Sequence, residues 1–328
     1  MKKLKHTDDD SLCYKRKKQG KGFTYLDEHG KKINDHDTIE RIEALVIPPM
    51  WSEVWICRFS EGHIQATGRD EKGRKQYLYH EEWQRQQQQQ KFDRMKPFGN
   101  ALPDMRKRCL MDLEQKDWEK EKVLALMVLL LDETGIRIGN QQYAEQNNSY
   151  GLSTLRRKHL HLKGKELLFK FNGKSNQQQE VHIENHELIR YIKKSAELPG
   201  YELFRYQDDS DKWHTVNSEE VNEYIHQTIG EEFYCKDFRT WAASRTAIEC
   251  YPDAVSLYKE APKKKLPNIL IRLVAEQIGN TESVCREYYV HPNILQLVAQ
   301  EVFPKNTYKD SIKPFGHSAE EKLLLKII

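Results

Sequence analysis

The chain has 328 residues, of which 38% are hydrophobic and 31% charged, and its formal net charge at pH 7 is +3. This length allows two domains with cores of their own, and the small net charge does not by itself identify a nucleic-acid partner. The longest apolar run, residues 124–131, is far shorter than the roughly 18 residues that a membrane span needs. The N-terminus lacks the apolar stretch of a signal peptide, so a cytoplasmic location is expected.

Residues 1–22 carry eight lysines and arginines against three aspartates, with few apolar side chains. This composition predicts a flexible basic arm. A solubilising tail and an arm that contacts a polyanion fit the composition about equally well.

A small sheet domain is predicted over residues 23–90. Alternating runs bounded by glycine turns indicate strands at residues 23–26, 54–59, 63–67 and 73–79. The spacing of Ile39, Ile42 and Leu45 indicates one helix at residues 38–45. The domain is therefore expected to be mainly β-structure.

The last of these strands alternates aromatic and polar side chains. Tyr77 and Tyr79 should share one face of the strand and Gln76 the other, and Arg74 and Lys75 precede them. Cations can follow phosphates, and a glutamine or tyrosine can reach a base edge, so the pattern suits contact with DNA. A half-buried edge strand would show much of the same alternation.

A glutamine-rich polar helix at residues 81–96 is expected to join this domain to a second one, with Pro97 ending the helix. We place the boundary near residues 85–100. Residues 91–328 show mainly helical patterns, with strand-like runs near residues 159–183. The predicted fold class is α+β: a small N-terminal antiparallel β-sheet domain and a larger, mainly α-helical domain that carries a short β-hairpin or sheet.

No metal site is predicted. The six cysteines are scattered singly, which indicates reduced thiols. His159 and His161 occupy alternating positions of a strand, as packing or surface histidines do. The acidic run at residues 208–211 lacks the glutamate of a calcium loop, so it should be solvated.

Two tyrosines follow an apolar helix near the C-terminus. The helix is predicted at residues 266–278 and Gly279 stops it; a second short helix then carries Tyr288 and Tyr289 until Pro292 forces the chain out. Both rings could be packing residues, and periodicity does not choose between them. With cations nearby, a tyrosine of this segment could act as a nucleophile.

Three further segments supply cations without obvious partners. They are residues 134–140 (TGIRIGN), with Arg137 between two glycines; residues 171–175 (FNGKS), with Lys174 after an Asn-Gly hairpin signal; and residues 236–240 (KDFRT), with Lys236 and Arg239 one helical turn apart. The charges of Lys236 and Arg239 should lie together, so an anion between them would relieve their repulsion. Solvated surface cations would show the same residues, and the Gly-Lys-Ser run lacks the first glycine of a nucleotide-binding P-loop.

In this order, and with a late tyrosine, these segments resemble the active site of the type IB DNA topoisomerases, in particular the small poxvirus and bacterial form. The likeness covers nearly the whole chain and includes residues 65–80, which are similar to that family's DNA-contacting segment. The resemblance implies that Tyr289 is the nucleophile and that Arg137 and Arg239 bind the phosphate. It also implies that Lys174 is the general acid, that the Asn280 amide binds the phosphate and that Lys236 assists. It also implies DNA contacts by Arg74, Lys75, Gln76, Tyr77 and Tyr79.

The implied activity is relaxation of supercoiled DNA through a transient single-strand break and a 3′-phosphotyrosyl intermediate, without ATP, metal or another cofactor. The implied partner is double-stranded DNA, clamped by a monomer in the cytoplasm and nucleoid of a bacterium. Some relatives carry histidine at the position of Asn280, which leaves the identity of that donor open. Two alternatives stay open: a tyrosine recombinase with the same chemistry, and a non-catalytic DNA-binding protein with a degenerate site.

Overall fold

The computed structural model describes residues 4–9, 13–164, 166–260 and 263–328, and it confirms the α+β class. The chain divides into two compact units, Met1–Gln90 and Lys91–Ile328. Within the described ranges, none of the helices combines the length and the apolar character that a membrane crossing requires.

The smaller unit is built on a five-stranded antiparallel sheet in the order β2-β1-β3-β4-β5. Its elements are β1 (Cys13–Gln19), β2 (Gly22–Leu26), α1 (His36–Ala44), β3 (Ser52–Cys57), β4 (Ile64–Arg69) and β5 (Lys75–Tyr79). Val54, Ile56 and Ala66 of the sheet pack against Ile42 of α1 and form a small core. The strands and the helix predicted for residues 23–79 are therefore confirmed, with small shifts of their ends.

Part of the expected flexible arm is a strand. β1 pairs with both β2 and β3, Tyr14 packs against the core, and Arg16 donates to three backbone carbonyls of the segment 47–51. The expectation of flexibility is wrong for β1, because a strand between two others is held by its ladder while its lysines point to solvent. Residues 1–3 and 10–12 of the predicted arm lie outside the described residues.

The larger unit is mainly helical. Helix α2 (Glu81–Asp93) leads into it, and the following helices are α3 (Met95–Leu113), α4 (Lys120–Thr134), α5 (Gln141–Asn147), α6 (His186–Glu197), α7 (Ser218–Ile229), α8 (Cys235–Glu249), α9 (Tyr251–Glu260), α10 (Leu266–Ile278), α11 (Glu282–Val284), α12 (Pro292–Ala299) and α13 (Ala319–Ile327). A three-stranded antiparallel sheet contains β6 (Leu160–Lys163), β7 (Glu166–Asn172) and β8 (Gln178–Ile183), and a hairpin contains β9 (Arg205–Gln207) and β10 (Trp213–Thr215).

Helix α4 is the centre of this unit. Leu124, Met127, Val128 and Leu131 are buried, as the apolar pattern predicts, and α3, α7 and α8 pack around the helix. A helix that is apolar on most of its circumference has to be enclosed in this way. Its enclosure fixes the position of its C-terminal end, from which the loop with Arg137 starts.

Pro97 does not end a helix, contrary to the prediction. It lies in the first turn of α3, where the backbone N–H has no partner within the helix and proline is tolerated. The sequence patterns also did not indicate the β9–β10 hairpin or α9. The two strands are very short, and α9 follows α8 after a single residue, so neither leaves a separate periodic signal.

The C-terminal helix α13 packs against other helices of the larger unit. Leu323 and Leu324 are buried, and Ser318 caps the helix together with Glu321. The Glu321 carboxylate also accepts a hydrogen bond from Arg106 at 2.6 Å and one from the indole N–H of Trp241 at 2.9 Å. Buried polar groups therefore join α13 to α3 and α8.

Candidate active site

The ends of two helices hold Arg239 of α8 beneath the surface. The residue is 5% exposed; its Nη1 donates to the Gly135 carbonyl at 2.6 Å and its Nη2 to the Ile278 carbonyl at 2.7 Å. These carbonyls lie at the C-terminal ends of α4 and α10, where helix dipoles concentrate negative charge. Gly135 has a φ of 62°, and a Cβ on it would lie 2.8 Å from the Ala242 Cβ, so only glycine allows this approach.

Arg137 and Asn280 lie in the loops that follow the same two helices. Nη2 of Arg137 donates to Oδ1 of Asn280 at 2.7 Å, which leaves the amide nitrogen of Asn280 to bind another group. Gly279, with a φ of 62°, turns the chain out of α10 into Asn280. The structure thus brings three of the predicted site residues, Arg137, Arg239 and Asn280, into one cluster.

Two buried donors in this cluster are unused. The Nε of Arg239 and the Nδ2 of Asn280 find no hydrogen-bond acceptor among the residues that the structure describes. Burial, together with the charge of Arg137, lowers the pKa of Arg239 to about 10, while the Tyr289 side chain opposes this shift. Because backbone carbonyls rather than a carboxylate hold this guanidinium, an anion such as phosphate would complete its coordination.

The tyrosine segment differs from the predicted α-helix. After the single turn of α11, the chain forms a π-helical turn, Cys285–Tyr289, in which the Val290 amide donates to the Cys285 carbonyl at 2.9 Å. Val290 is already extended, since the chain turns there towards α12, and the last turn widens by one residue. Single π-turns of this kind often occur at functional sites.

The surroundings of the two tyrosines are different. Tyr289 is half-buried, and its ring centroid lies 5.3 Å from the guanidinium carbon of Arg239. Tyr288 is 42% exposed and lies beside Glu287, which raises the pKa of Tyr288. Tyr289 is therefore the tyrosine that faces the arginine cluster.

Lys174 lies on the loop that joins β7 to β8. Asn172 pairs with Gln178, so the connection is longer than the two-residue turn that Asn-Gly favours, and its left-handed residues are Ser175 and Asn176. Lys174 is exposed, and it lines one small cavity together with Arg137 and Arg239. The loop therefore places a solvent-accessible ammonium at the edge of the buried cluster.

Lys236 has different neighbours from those predicted. It is exposed in the first turn of α8, with its Nζ 5.0 Å from the Tyr234 ring centroid, whereas Arg239 points inward. The expected pair of adjacent charges is wrong, because the helix buries one side chain and leaves the other in solvent. Lys236 does not line the cavity that Lys174 and Arg239 share.

Strand β5 of the smaller unit presents the alternation that the sequence predicts. Tyr77 and Tyr79 lie on the more exposed face and stack at 5.8 Å with an interplanar angle of 10°. On this strand and the turn before it, all three polar candidates contact acidic side chains of their own unit. Nε of Arg74 and Nε2 of Gln76 donate to Asp70 at 2.8 and 2.9 Å, and Lys75 forms an ion pair with Asp9.

Sequence reasoning missed two residues that hold the tyrosine turn. Ser244, which is fully buried on α8, donates from Oγ to the Tyr289 carbonyl at 3.2 Å and accepts from the His291 amide at 3.0 Å. Lys91 donates to the Tyr288 carbonyl. A lone cation after a run of glutamines was the only available signal for Lys91, and Ser244 looked like a small residue of a packed helix.

Metal-binding side chains do not gather at this cluster within the described residues. Three that come within 4.8 Å of one another, His36, Asp37 and Glu40, are exposed on α1 of the smaller unit. His159 is a packing histidine, as predicted: burial lowers its pKa to about 4, and its ring lies 4.5 Å from that of Tyr150. Asp208 accepts from the amides of Ser210 and Lys212 and thereby forms a turn.

Comparison with known proteins assigns both units of the chain. Residues 80–314 match the family model of the catalytic core of eukaryotic DNA topoisomerase I, and residues 22–70 match that of the N-terminal domain of bacterial DNA topoisomerase IB. The chain is 34% identical over 294 residues to DNA topoisomerase 1B of Acanthamoeba polyphaga mimivirus, which covers 87% of this chain and 86% of that protein. It is 27% identical over 295 residues to DNA topoisomerase 1B of vaccinia virus (strain Copenhagen), a match that covers 87% of this chain and 90% of that protein.

Proposed function

This chain belongs to the type IB DNA topoisomerases, and we propose that Tyr289 is the residue through which it breaks and rejoins one DNA strand. The observation that supports this most strongly is the place of the Tyr289 ring, 5.3 Å from a buried guanidinium whose Nε has no acceptor in the described part of the chain. A phosphate bound to Arg239 would lie beside the phenol.

The proposed reaction consists of one exchange of phosphate esters. The phenolic oxygen of Tyr289 forms a bond to phosphorus while the bond from phosphorus to the 5′ oxygen breaks, which leaves a 3′-phosphotyrosyl link and a free 5′ hydroxyl. Rotation of the free end releases supercoils. The 5′ hydroxyl then attacks the phosphotyrosyl bond and restores the strand, so no ATP is consumed.

Arg137, Arg239 and Asn280 bind the non-bridging oxygens in this proposal. These oxygens gain negative charge in the transition state, and donors that the protein has already oriented stabilise that charge without reorganisation. Lys174 protonates the departing 5′ oxygen, because an alkoxide is a poor leaving group. Lys236 assists through its charge at the exposed edge of the site.

The smaller unit supplies DNA contacts in this proposal. Arg74, Lys75, Gln76, Tyr77 and Tyr79 bind double-stranded DNA, and phosphates replace Asp70 and Asp9 as partners of the cations. We also propose a monomer that needs no nucleotide and acts on the DNA of a bacterial cytoplasm and nucleoid. Sedimentation of the protein alone and with a short duplex tests the oligomeric state, and a 2:1 complex would contradict it.

Supercoiled plasmid, incubated with the protein in EDTA and without ATP, tests the function. We expect relaxed topoisomers, and SDS should trap protein on 3′ ends. Tyr289→Phe should abolish both products, whereas the matched variant Tyr288→Phe should keep most of the activity. The opposite result would assign the nucleophile to Tyr288. Strand exchange between two duplexes would indicate a tyrosine recombinase, which the match of residues 22–70 does not favour.

A further inference from the structure

Lys91, in the last turn of α2, lies against the tyrosine turn of the larger unit. Its side chain is half-buried, and its ammonium donates to the Tyr288 carbonyl. The same Nζ lies 4.6 Å from the Phe92 ring centroid, 5.5 Å from that of Tyr289 and 5.8 Å from that of Tyr288. Moving a lysine ammonium from water to a carbonyl and three aromatic rings costs free energy, so a role for Lys91 at this position has to offset that cost.

The hydrogen bond of Lys91 complements that of Ser244. The Tyr288 carbonyl belongs to the peptide before Tyr289, and the Tyr289 carbonyl belongs to the peptide after it. Because Val290 is extended, the helix that ends here does not satisfy these carbonyls itself. Lys91 binds the first and Ser244 binds the second, so both peptides that flank the Tyr289 Cα are fixed by side chains.

The charge of Lys91 adds to what a neutral donor could do. A cation within about 6 Å of an aromatic ring attracts it, and the attraction grows when water is excluded. Arg239 lies at a comparable distance from the same ring, 5.3 Å. The Tyr289 ring is thus held between packing contacts and two cations, while its backbone is held through both neighbouring peptides.

We propose that Lys91 is a positioning residue for the nucleophile, which in its charged form holds the Tyr289 peptide and ring in the orientation that in-line attack on phosphorus requires. The inference rests on the proposed role of Tyr289. A misplacement of a reacting group by 1 Å can cost on the order of a hundredfold in rate, so even a small relaxation of this turn should be measurable.

Single-turnover cleavage of a DNA duplex at saturating protein tests the proposal. Lys91→Met should slow cleavage roughly tenfold to a hundredfold at pH 7 with an unchanged Kd for DNA, because only the geometry of attack is altered. Lys122→Met is the matched control. Lys122 is also buried and also donates to a backbone carbonyl, that of Gln115, at a place remote in sequence from the tyrosines. Its cleavage rate should stay within about twofold of the unmodified protein, since the Lys122 ammonium contacts Gln115, Trp118 and Tyr191 and not the tyrosine turn.

The pH profile separates positioning from simple structural support. Burial lowers the pKa of Lys91 to about 8; the charge of Asp237 on α8 opposes this shift, and those of Lys236 and Arg94 add to it. The positioning effect should therefore be present below pH 8 and lost as the pH rises through 8. In Lys91→Arg the charge persists, so the ratio of wild-type to Lys91→Arg rates should fall severalfold between pH 7 and pH 9.

Unfolding would not produce this profile. The folded protein releases the Lys91 proton at a lower pH than the unfolded chain does, so titration of this group raises the free energy of unfolding between about pH 8 and 10.5. A cleavage rate that falls relative to Lys91→Arg between pH 7 and pH 9, while the melting temperature does not fall, supports the proposal. If Lys91→Met does not fold, Lys91→Gln, which keeps a donor without the charge, takes its place.

Two results would overturn the inference: cleavage by Lys91→Met, or by Lys91→Gln in its place, at the rate of the unmodified protein, or a ratio to Lys91→Arg that does not change with pH. Both are distinct from failure of the proposed function, in which Tyr289→Phe would still form covalent complexes. An inactive Tyr289→Phe together with a fully active Lys91→Met would leave the nucleophile in place and remove only the role of Lys91.

Discussion

Two arginines of the larger unit, Arg239 buried and Arg106 nearly so, have opposite kinds of partner. Arg106 of α3 donates to Asp132 at 2.6 Å and to Glu321 at 2.6 Å, and although burial opposes it, these two carboxylates raise the pKa of Arg106. Arg239 of α8 is held by backbone carbonyls, keeps an unused Nε, and has a pKa lowered to about 10 by burial and by Arg137. The first arginine has carboxylate counter-ions within the fold, and the second has none among the residues that the structure describes.

The partners of a buried cation indicate whether it stabilises the fold or binds a ligand. A guanidinium that carboxylates neutralise joins elements, as Arg106 joins α3, α4 and α13. A guanidinium that helix ends hold is oriented but has no carboxylate counter-ion, so an incoming phosphate can still form a charged pair with it. Burial alone does not distinguish the two, and the chemical identity of the partners does.

The largest effect is expected on stability, when the structural arginine Arg106 is replaced. Arg106→Gln leaves two buried carboxylates without their cation, and it should lower the free energy of unfolding by about 3–5 kcal/mol. Thermal and denaturant melts measure it. Arg190→Gln, which removes an exposed arginine from an i,i+3 pair with the exposed Glu187 on α6, should cost at most about 1 kcal/mol. Equal losses in the two variants would contradict the structural role of the Arg106 cluster.

The second effect is expected on the cleavage rate, when Arg239 is replaced. Arg239→Ala should slow single-turnover cleavage roughly a hundredfold to a thousandfold at a temperature where the variant is folded, as loss of one oriented transition-state donor does. Its melting temperature should also fall, because the variant loses a buried side chain that bonds the ends of two helices. Arg245→Gln serves as control on the same helix, because Arg245 has Glu249 as a carboxylate partner at 3.2 Å. A cleavage rate that falls equally in both variants would mean that the comparison of partners does not identify the catalytic arginine.

A smaller effect is expected for the cations of the smaller unit, which are exposed and paired. Arg74→Ala should weaken DNA binding about tenfold and alter the choice of cleavage site, while the rate at saturating DNA stays within about threefold. Arg58 has the same exposed fraction, 46%, and pairs with Glu28, so Arg58→Ala is its control. A large loss of rate at saturating DNA in Arg74→Ala would place β5 within the chemistry.

The resemblance to the type IB family predicts the members of the cluster, and local signals in the sequence set their positions along the chain. Gly135 and Gly279 end their helices in left-handed conformations, and glycine stop signals are readable in a single sequence. The residues after them, Arg137 and Asn280, therefore start from defined places. The same holds for β5, whose alternation follows from a period of two.

The rest depended on contacts between distant parts of the chain. β1 is held between β2, its neighbour in the chain, and the distant β3, and its lysine-rich segment shows no strand pattern of its own. The π-turn forms because the Val290 amide donates to the carbonyl of Cys285 rather than to that of Arg286. The turn of the chain towards α12 determines which carbonyl accepts. The inward direction of Arg239 and the outward direction of Lys236 depend on how α8 packs, which helical periodicity could not decide.

One substrate distinguishes the role of Lys174 from that of the arginine cluster most directly. A DNA substrate with sulfur in place of the bridging 5′ oxygen expels a thiolate, which leaves without a proton. Lys174→Ala should cleave the oxygen substrate roughly a hundredfold to ten-thousandfold more slowly than the unmodified protein, yet cleave the sulfur substrate almost as fast. Arg239→Ala should stay slow on both substrates, because the arginine that it lacks acts on the non-bridging oxygens and not on the leaving group. An undiminished Lys174→Ala defect with sulfur, or a restored Arg239→Ala rate, would contradict this division of roles.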